Sequence, residues 1–233
     1  MPGRAPTPIR ACARRSSPDA QLRPTVTPDS RPRIGVLISG RGSNLQAIID
    51  AIGDGDLNAS IAVVISNRAD VRGLQRARAA GIDALHVDPR DHADRDSYDL
   101  AIVEILQARG VQLVCLAGYM RRVGRPLLDA FPQRILNVHP SLLPAFPGLE
   151  AQRQALEHGV QVTGATVHLV TSELDGGPIV LQAAVPVLPD DTVETLSARV
   201  LIEEHRIYRE AIRILLDERW TLAGRRFMRG GGS

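Results

Sequence analysis

Asn137 and His139 lie two residues apart at the end of the apolar run "RILNVHP", so on an extended strand both side chains point to one face. An amide N–H beside an imidazole can hold a developing oxyanion and move a proton. Alone, a His before Pro is also an ordinary structural residue. Asp175, in "SELDGGPI", supplies a carboxylate that could orient an imidazole and favour its charged form. An Asp before Gly-Gly is equally a common turn, and separation in sequence does not say whether Asp175 reaches His139.

Two further motifs suit a ligand. "SGRGSNLQ", Ser39 to Gln46, follows an apolar strand and opens a helix. Gly40 and Gly42 allow a tight turn and close backbone approach, Ser43 can cap the helix, and the free N–H groups there suit an anion. A dinucleotide fingerprint would want a third Gly where Leu45 and Gln46 stand, and an acid where Ser66 and Asn67 end the second strand. The turn therefore fits a single phosphate better than NAD, although many such turns are purely structural. "LAGYMRRV", Leu116 to Val123, ends another buried strand, and Met120 and Val123 there offer apolar contact to a flat ligand. Glu204, in "IEEHRIY", reads without context as a solvated helix charge. His86, His92, His158, His168 and His205 show no metal-ligand spacing.

The elements that must hold these residues are legible from Arg33 onward. "RIGVLIS", "SIAVVIS", "IDALHV", "VQLVCLAG" and "RILNVH" read as short buried strands. Between them, "SNLQAIIDAI", "VRGLQRARAAG", Tyr98 to Gly110 and "GRPLLDAF" read as helices. That alternation implies a parallel, doubly wound sheet covered on both faces. After the helix "AQRQALEHG" the rhythm changes. "TGATVHLVT" and "PIVLQAAVPV", joined by "SELDGG", read as an antiparallel pair. A long amphipathic helix with Thr192 as N-cap follows. The organisation expected is one α/β domain over 32–221, a disordered N-terminal extension over 1–31 and a flexible C-terminal tail over 222–233.

Composition narrows the chemistry. The chain has 233 residues and contains no Lys, so all 28 basic residues are Arg, which excludes Schiff-base chemistry and a P-loop lysine. Net charge is +2. Seven Arg against Asp19 and Asp29 give the first 33 residues +5, so the remainder carries about −3, and no basic stripe interleaved with aromatics suggests nucleic acid. Cys12 and Cys115 cannot form a disulfide framework or a zinc site, so a reducing, cytoplasmic setting is expected. No apolar run approaches the ~18 residues of a membrane span.

Taken in order, "ISGRGSNLQAIIDA", "LAGYMRRV", "ILNVHPSLLPAFPGL", "GATVHLVTSELDGGPI" and "EEHRIY" closely resemble the phosphoribosylglycinamide formyltransferase family, over about Arg33 to Glu218. The resemblance implies a Rossmann-like formyltransferase fold: a mainly parallel sheet flanked by helices, with an antiparallel extension. It implies formyl transfer from the co-substrate 10-formyltetrahydrofolate to the amine of glycinamide ribonucleotide, a step of purine biosynthesis, with no metal. By matching position, Asn137, His139 and Asp175 become the catalytic set. Gly42, Ser43, Asn44 and Glu204 meet the ribonucleotide. Arg95, Met120, Arg121, Arg122 and Val123, with Asn137, meet the folate. Small-molecule substrates, no nucleic acid, no membrane and a monomer or weak homodimer follow as expectations. The chain departs from the family pattern at Arg41, Ala145 and Glu150. Other folate-dependent formyltransferases and a deformylase of the same superfamily share the Asn-x-His-Pro core and the later Asp, and a non-catalytic nucleotide-binding module is the alternative of another class.

Overall fold

The computed structural model describes residues 31–230; the expected N-terminal extension lies outside them except for Arg31. In chain order the elements are β1 (Arg33–Ile38), α1 (Ser43–Gly53), β2 (Ser60–Ser66), α2 (Arg72–Ala79), β3 (Ala84–His86), α3 (Arg95–Ala108), β4 (Leu113–Leu116) and α4 (Arg125–Ala130). They continue with β5 (Ile135–His139), α5 (Ala151–Glu157), β6 (Val162–Leu169), β7 (Ile179–Pro186), α6 (Val193–Asp217), β8 (Trp220–Ala223) and β9 (Arg226–Arg229).

Among the described residues the strands form one sheet in the order β3-β2-β1-β4-β5-β6-β7-β9-β8. β1 to β5 pair parallel, while β6 runs antiparallel to both β5 and β7. The interior strands β1, β4 and β5 are buried on both faces because helices cover both, whereas β3, expected to be buried, lies at the sheet edge and is only partly covered, with His86 exposed. One core packs alternate strand residues against Leu45 and Ile48 of α1, Leu74 and Ala77 of α2, and Val200, Ile207 and Ile212 of α6. The other packs Leu37, Val63, Ile65 and Ile135 against Tyr98, Ile102 and Leu106 of α3 and Leu127 of α4. The strand order reverses between β1 and β4. The loops after these two strands therefore flank the crevice where open α/β sheets bind ligands.

Helix boundaries follow local chemistry. Asp94 caps α3 in a capping box with Ser97, starting it three residues before the Tyr98 expected from the periodicity. Thr192 caps α6 through Thr195, as the sequence implies. Residues 222–229 depart from the flexible tail expected over 222–233, of which the last three residues lie outside the described ones. Residues from Trp220 to Arg229 form the β8–β9 hairpin at the sheet edge, with the rings of Trp220 and Phe227 stacked at 5.2 Å and both residues packed on the core with Leu222. The alternation that signals these strands spans only four residues each, and Arg226 and Arg229 mask it. Among the described residues, no helix is long and apolar enough to cross a membrane.

Candidate active site

The fate of Asn137 and His139 follows from the pleat of β5. Leu136 and Val138 point into the α1/α6 core, while Ile135, Asn137 and His139 share the opposite face. Tyr208 of α6, fully buried, places its hydroxyl 2.9 Å from the Leu116 carbonyl and 3.1 Å from that of Leu136. One O–H shared between two carbonyls ties α6 to β4 and β5, the strands that lead into the site.

The opposing strand adds a residue that the sequence did not single out. Register pairs Asn137 with His168 of β6, on the same face. His168 Nδ1 lies 3.0 Å from the Leu169 carbonyl, which can only accept, so Nδ1 carries the proton. Nε2 of the neutral ring is then an acceptor, and Asn137 Nδ2 donates to it at 3.1 Å. Burial is the main force holding the His168 imidazole below its ordinary pKa, outweighing the Leu169 hydrogen bond and the attraction of Asp175. This bond fixes the Asn137 amide and uses one of its two N–H hydrogens.

His139 is 5% exposed and equally constrained. Its Nε2 donates to the Phe146 carbonyl at 2.9 Å, which leaves Nδ1 facing Asp175 Oδ2 at 3.6 Å, too far for a hydrogen bond. The connection between β6 and β7 turns back to bring Asp175 here: its Oδ2 accepts the N–H of Gly148 at 2.8 Å, and its Oδ1 is 3.8 Å from His168 Nε2. Asp175 adopts φ 49, a left-handed conformation that Asp tolerates better than most residues. The Pro-rich loop after β5 thus works through its backbone, offering Phe146 C=O and Gly148 N–H. Ala145 likewise contributes a carbonyl, accepting from Ser141 Oγ at 2.5 Å, and Glu150 stands at the N-cap position of α5 with its side chain paired to Arg153 at 3.0 Å instead of capping the helix.

The turn after β1 forms a second cluster. Gly42, not Ser43, is the N-cap of α1, and no side chain caps the helix. Its φ of 70 and its packing demand glycine: a Cβ there would lie 2.7 Å from Gly73 Cα. Arg76 braces the turn, donating to the Arg41 carbonyl at 3.1 Å and to Gln46 at 2.8 Å. The buried Asn44 donates to Glu204 Oε2 at 2.7 Å, and its Oδ1 has no hydrogen-bond partner among the described residues. Glu204 is therefore not the solvated helix charge its sequence context suggests. Burial raises its pKa, and the Asn44 hydrogen bond opposes that shift.

The loop after β4 forms the third. Met120 is 60% exposed, and its backbone N–H donates to Ser39 Oγ at 2.8 Å. The Arg121 guanidinium lies 4.7 Å from the Tyr98 ring centre, in cation–π contact. Beyond Val123 a cleft of about 630 Å³ opens, lined by Arg95, Arg122, Gly124, Arg125 and, from the hairpin, Leu222. The structure therefore gathers Asn137, His139 and Asp175 in one cluster. It joins Gly42, Ser43 and Asn44 to Glu204 in another, and sets Arg95 beside residues 122–124 on a third flank. Among the described residues, no group of three His, Cys, Asp or Glu could hold a metal ion.

A neutral His168 has a spectroscopic consequence. Nitrogen-15 shifts should report the Nδ1–H tautomer at neutral pH, and an imidazolium or Nε2–H signal would undo the orientation assigned to Asn137. On acidification the unfolded chain takes up this proton before the native one, because the native pKa is the lower. His168 therefore stabilises the fold above the ordinary histidine range, and that contribution is lost as pH falls through it.

An open α/β sheet with an anion-type turn at its switch point, beside an amide, an imidazole and a carboxylate, is the arrangement of a group-transfer enzyme. Comparison with known proteins identifies the group. The model of the formyl transferase family matches residues 32–212, and the chain belongs to that family. It is 46% identical to the phosphoribosylglycinamide formyltransferase of Escherichia coli K12 over 175 residues, 75% of this chain and 82% of that protein. It is 47% identical to the trifunctional purine biosynthetic protein adenosine-3 of Drosophila melanogaster over 80% of this chain, but spans only 14% of that protein's length. Among solved structures, glycinamide ribonucleotide transformylase 1 from Symbiobacterium toebii superposes with a TM-score of 0.83 at 64% identity, covering 84% of this chain and 93% of that one.

Proposed function

We propose that this enzyme moves the formyl group of 10-formyltetrahydrofolate onto the primary amine of glycinamide ribonucleotide. The observation that carries this reading is the Asn137 amide, which keeps one N–H free beside His139 and Asp175. The amine attacks the formyl carbon and the carbonyl oxygen becomes an oxyanion. Asn137 Nδ2–H meets it on one side. His139, acting as an imidazolium with Nε2–H committed to Phe146, has Nδ1–H to offer on the other. Asp175 is the counter-charge of the imidazolium and a point from which water can carry the amine's proton to N10 as the C–N10 bond breaks. Preorganised donors of this kind act where charge develops, and they need no reorganisation during the reaction.

The ribonucleotide reading has its own support. The turn at Gly42–Asn44 opens a helix toward an anion, and Asn44 Oδ1 and Glu204 are buried acceptors beside it, suited to the hydroxyl donors of a ribose. Met120 to Val123 with Arg95 give a flat, partly apolar flank with positive charge, suited to a folate with its carboxylates. Glu204→Gln keeps the acceptor for Asn44 and removes the buried charge. It should leave the melting temperature level or higher while raising the KM for the ribonucleotide about 10-fold, the scale of a lost charged hydrogen bond.

The deciding experiment follows both products in one mixture of glycinamide ribonucleotide and 10-formyltetrahydrofolate. Formylated ribonucleotide and tetrahydrofolate should appear in equal amounts. Tetrahydrofolate with free formate, and no formylated ribonucleotide, would mean that water is the acceptor and would overturn the assignment.

A further inference from the structure

The loop of residues 118–124 is held at two backbone N–H groups by two buried side chains. At one end Ser39 Oγ accepts from Met120; at the other, the Asp99 carboxylate of α3 accepts from Gly124 at 2.5 Å. Asp99 is 3% exposed, and a buried carboxylate is costly unless it is paired or hydrogen-bonded, as Asp99 is by Gly124. Gly124 fits tightly over it: a Cβ at that position would lie 2.6 Å from Asp99 Oδ2 and 3.0 Å from Arg95 Nε. Asp99 also adjoins Tyr98, which carries the Arg121 guanidinium on its ring and whose hydroxyl accepts from Tyr119 at 3.2 Å. One turn of α3 therefore contacts the loop at Tyr119, Arg121 and Gly124, and presents Arg95 beside it.

We infer that Asp99 is the positioning residue of the folate flank, fixing the Met120–Val123 loop and its register with Arg95 through the Gly124 N–H. It touches no reacting atom; it sets where the loop stands. Ser39 precedes the phosphate-type turn directly, so disturbing it would reach both substrates. Asp99 lies on the other side of the loop, and its loss should reach one. This rests on the reading that the loop faces the folate.

The test is a steady-state comparison of four full-length variants, with KM for 10-formyltetrahydrofolate and for glycinamide ribonucleotide measured separately. Asp99→Ala should raise the folate KM about 10-fold or more and leave the ribonucleotide KM within about 2-fold. Asp99→Asn, which can still accept from Gly124, should recover most of that loss. Gly124→Ala, which crowds the carboxylate without removing it, should repeat the one-sided rise and serves if Asp99→Ala does not fold. Met120→Ala tests the underlying reading by itself. If Met120→Ala raises the folate KM while Gly124→Ala, and Asp99→Ala where it folds, leave it unchanged, the role of Asp99 is overturned. Equal rises for both substrates overturn it too, since they describe a general loss of structure. If Met120→Ala also leaves the folate KM unchanged, the placement of the folate on this loop fails first, and the inference with it.

Discussion

Asn137→Ala should lower turnover by about 10²- to 10³-fold, the loss typical of one oxyanion donor, while the protein melts close to the wild-type temperature. The two halves of this result have separate causes. Asn137 is only partly buried, and the core at that point of β5 is made by its neighbours Leu136 and Val138, which face the other way. Truncation to Ala therefore leaves no core cavity. His168 Nε2 loses a donor, which costs about 1 kcal/mol, small against the stability of a domain of this size. The transition state loses the N–H that His168 holds in place, and no other side chain of the cluster can supply it. His139 cannot compensate, because its Nε2 proton is committed to the Phe146 carbonyl and its Nδ1 proton is already the second donor. Both KM values should stay within a few-fold, because the interaction strengthens only as the oxyanion forms. Wild-type turnover in purified Asn137→Ala would remove the residue from this role.

What the sequence revealed and what it hid divide along physical lines. Periods of two and of 3.6 are local properties, so strands β1 to β7 and helices α1 to α6 are legible in the sequence. The shared face of Asn137 and His139 is local in the same way. The contacts that give those residues their chemistry are not. His168 became significant only through a register that sets it opposite Asn137, 31 positions earlier. The alternation in "TVHLV" does place His168 on the face opposite Val167, which was the one available signal. Asp175 reaches His139 only because the β6–β7 connection folds back, and no spacing rule encodes that. Glu204 looks like a solvated charge in "EEHRIY" until α6 is laid against α1 and Asn44 closes over it. The hairpin of β8 and β9 was hidden for a different reason: four-residue strands carry too little pattern to stand out among arginines.

Asp175→Asn should reduce turnover by about 10²-fold or more, within the usual range for losing a proton-transfer partner, and leave the fold nearly untouched. The substitution isolates charge from geometry. Asn is nearly the same size and is among the few residues that accept the left-handed backbone seen at Asp175, with φ 49. Its amide oxygen can still take the N–H of Gly148, so the Pro-rich loop stays attached and Phe146 stays under His139 Nε2. What disappears is the negative charge 3.6 Å from His139 Nδ1, in a site where both side chains are about nine-tenths buried and water screens little. Without it the imidazolium has no counter-charge, and the second oxyanion donor and the route for the proton are lost together. Asp175→Ala removes the Gly148 acceptor as well. It should match the Asn variant in turnover but add a lower melting temperature and higher KM values as the loop loosens. If Asp175→Asn keeps more than about a tenth of wild-type turnover while Asp175→Ala does not, the carboxylate serves to anchor the loop, and its charge is not what the reaction uses.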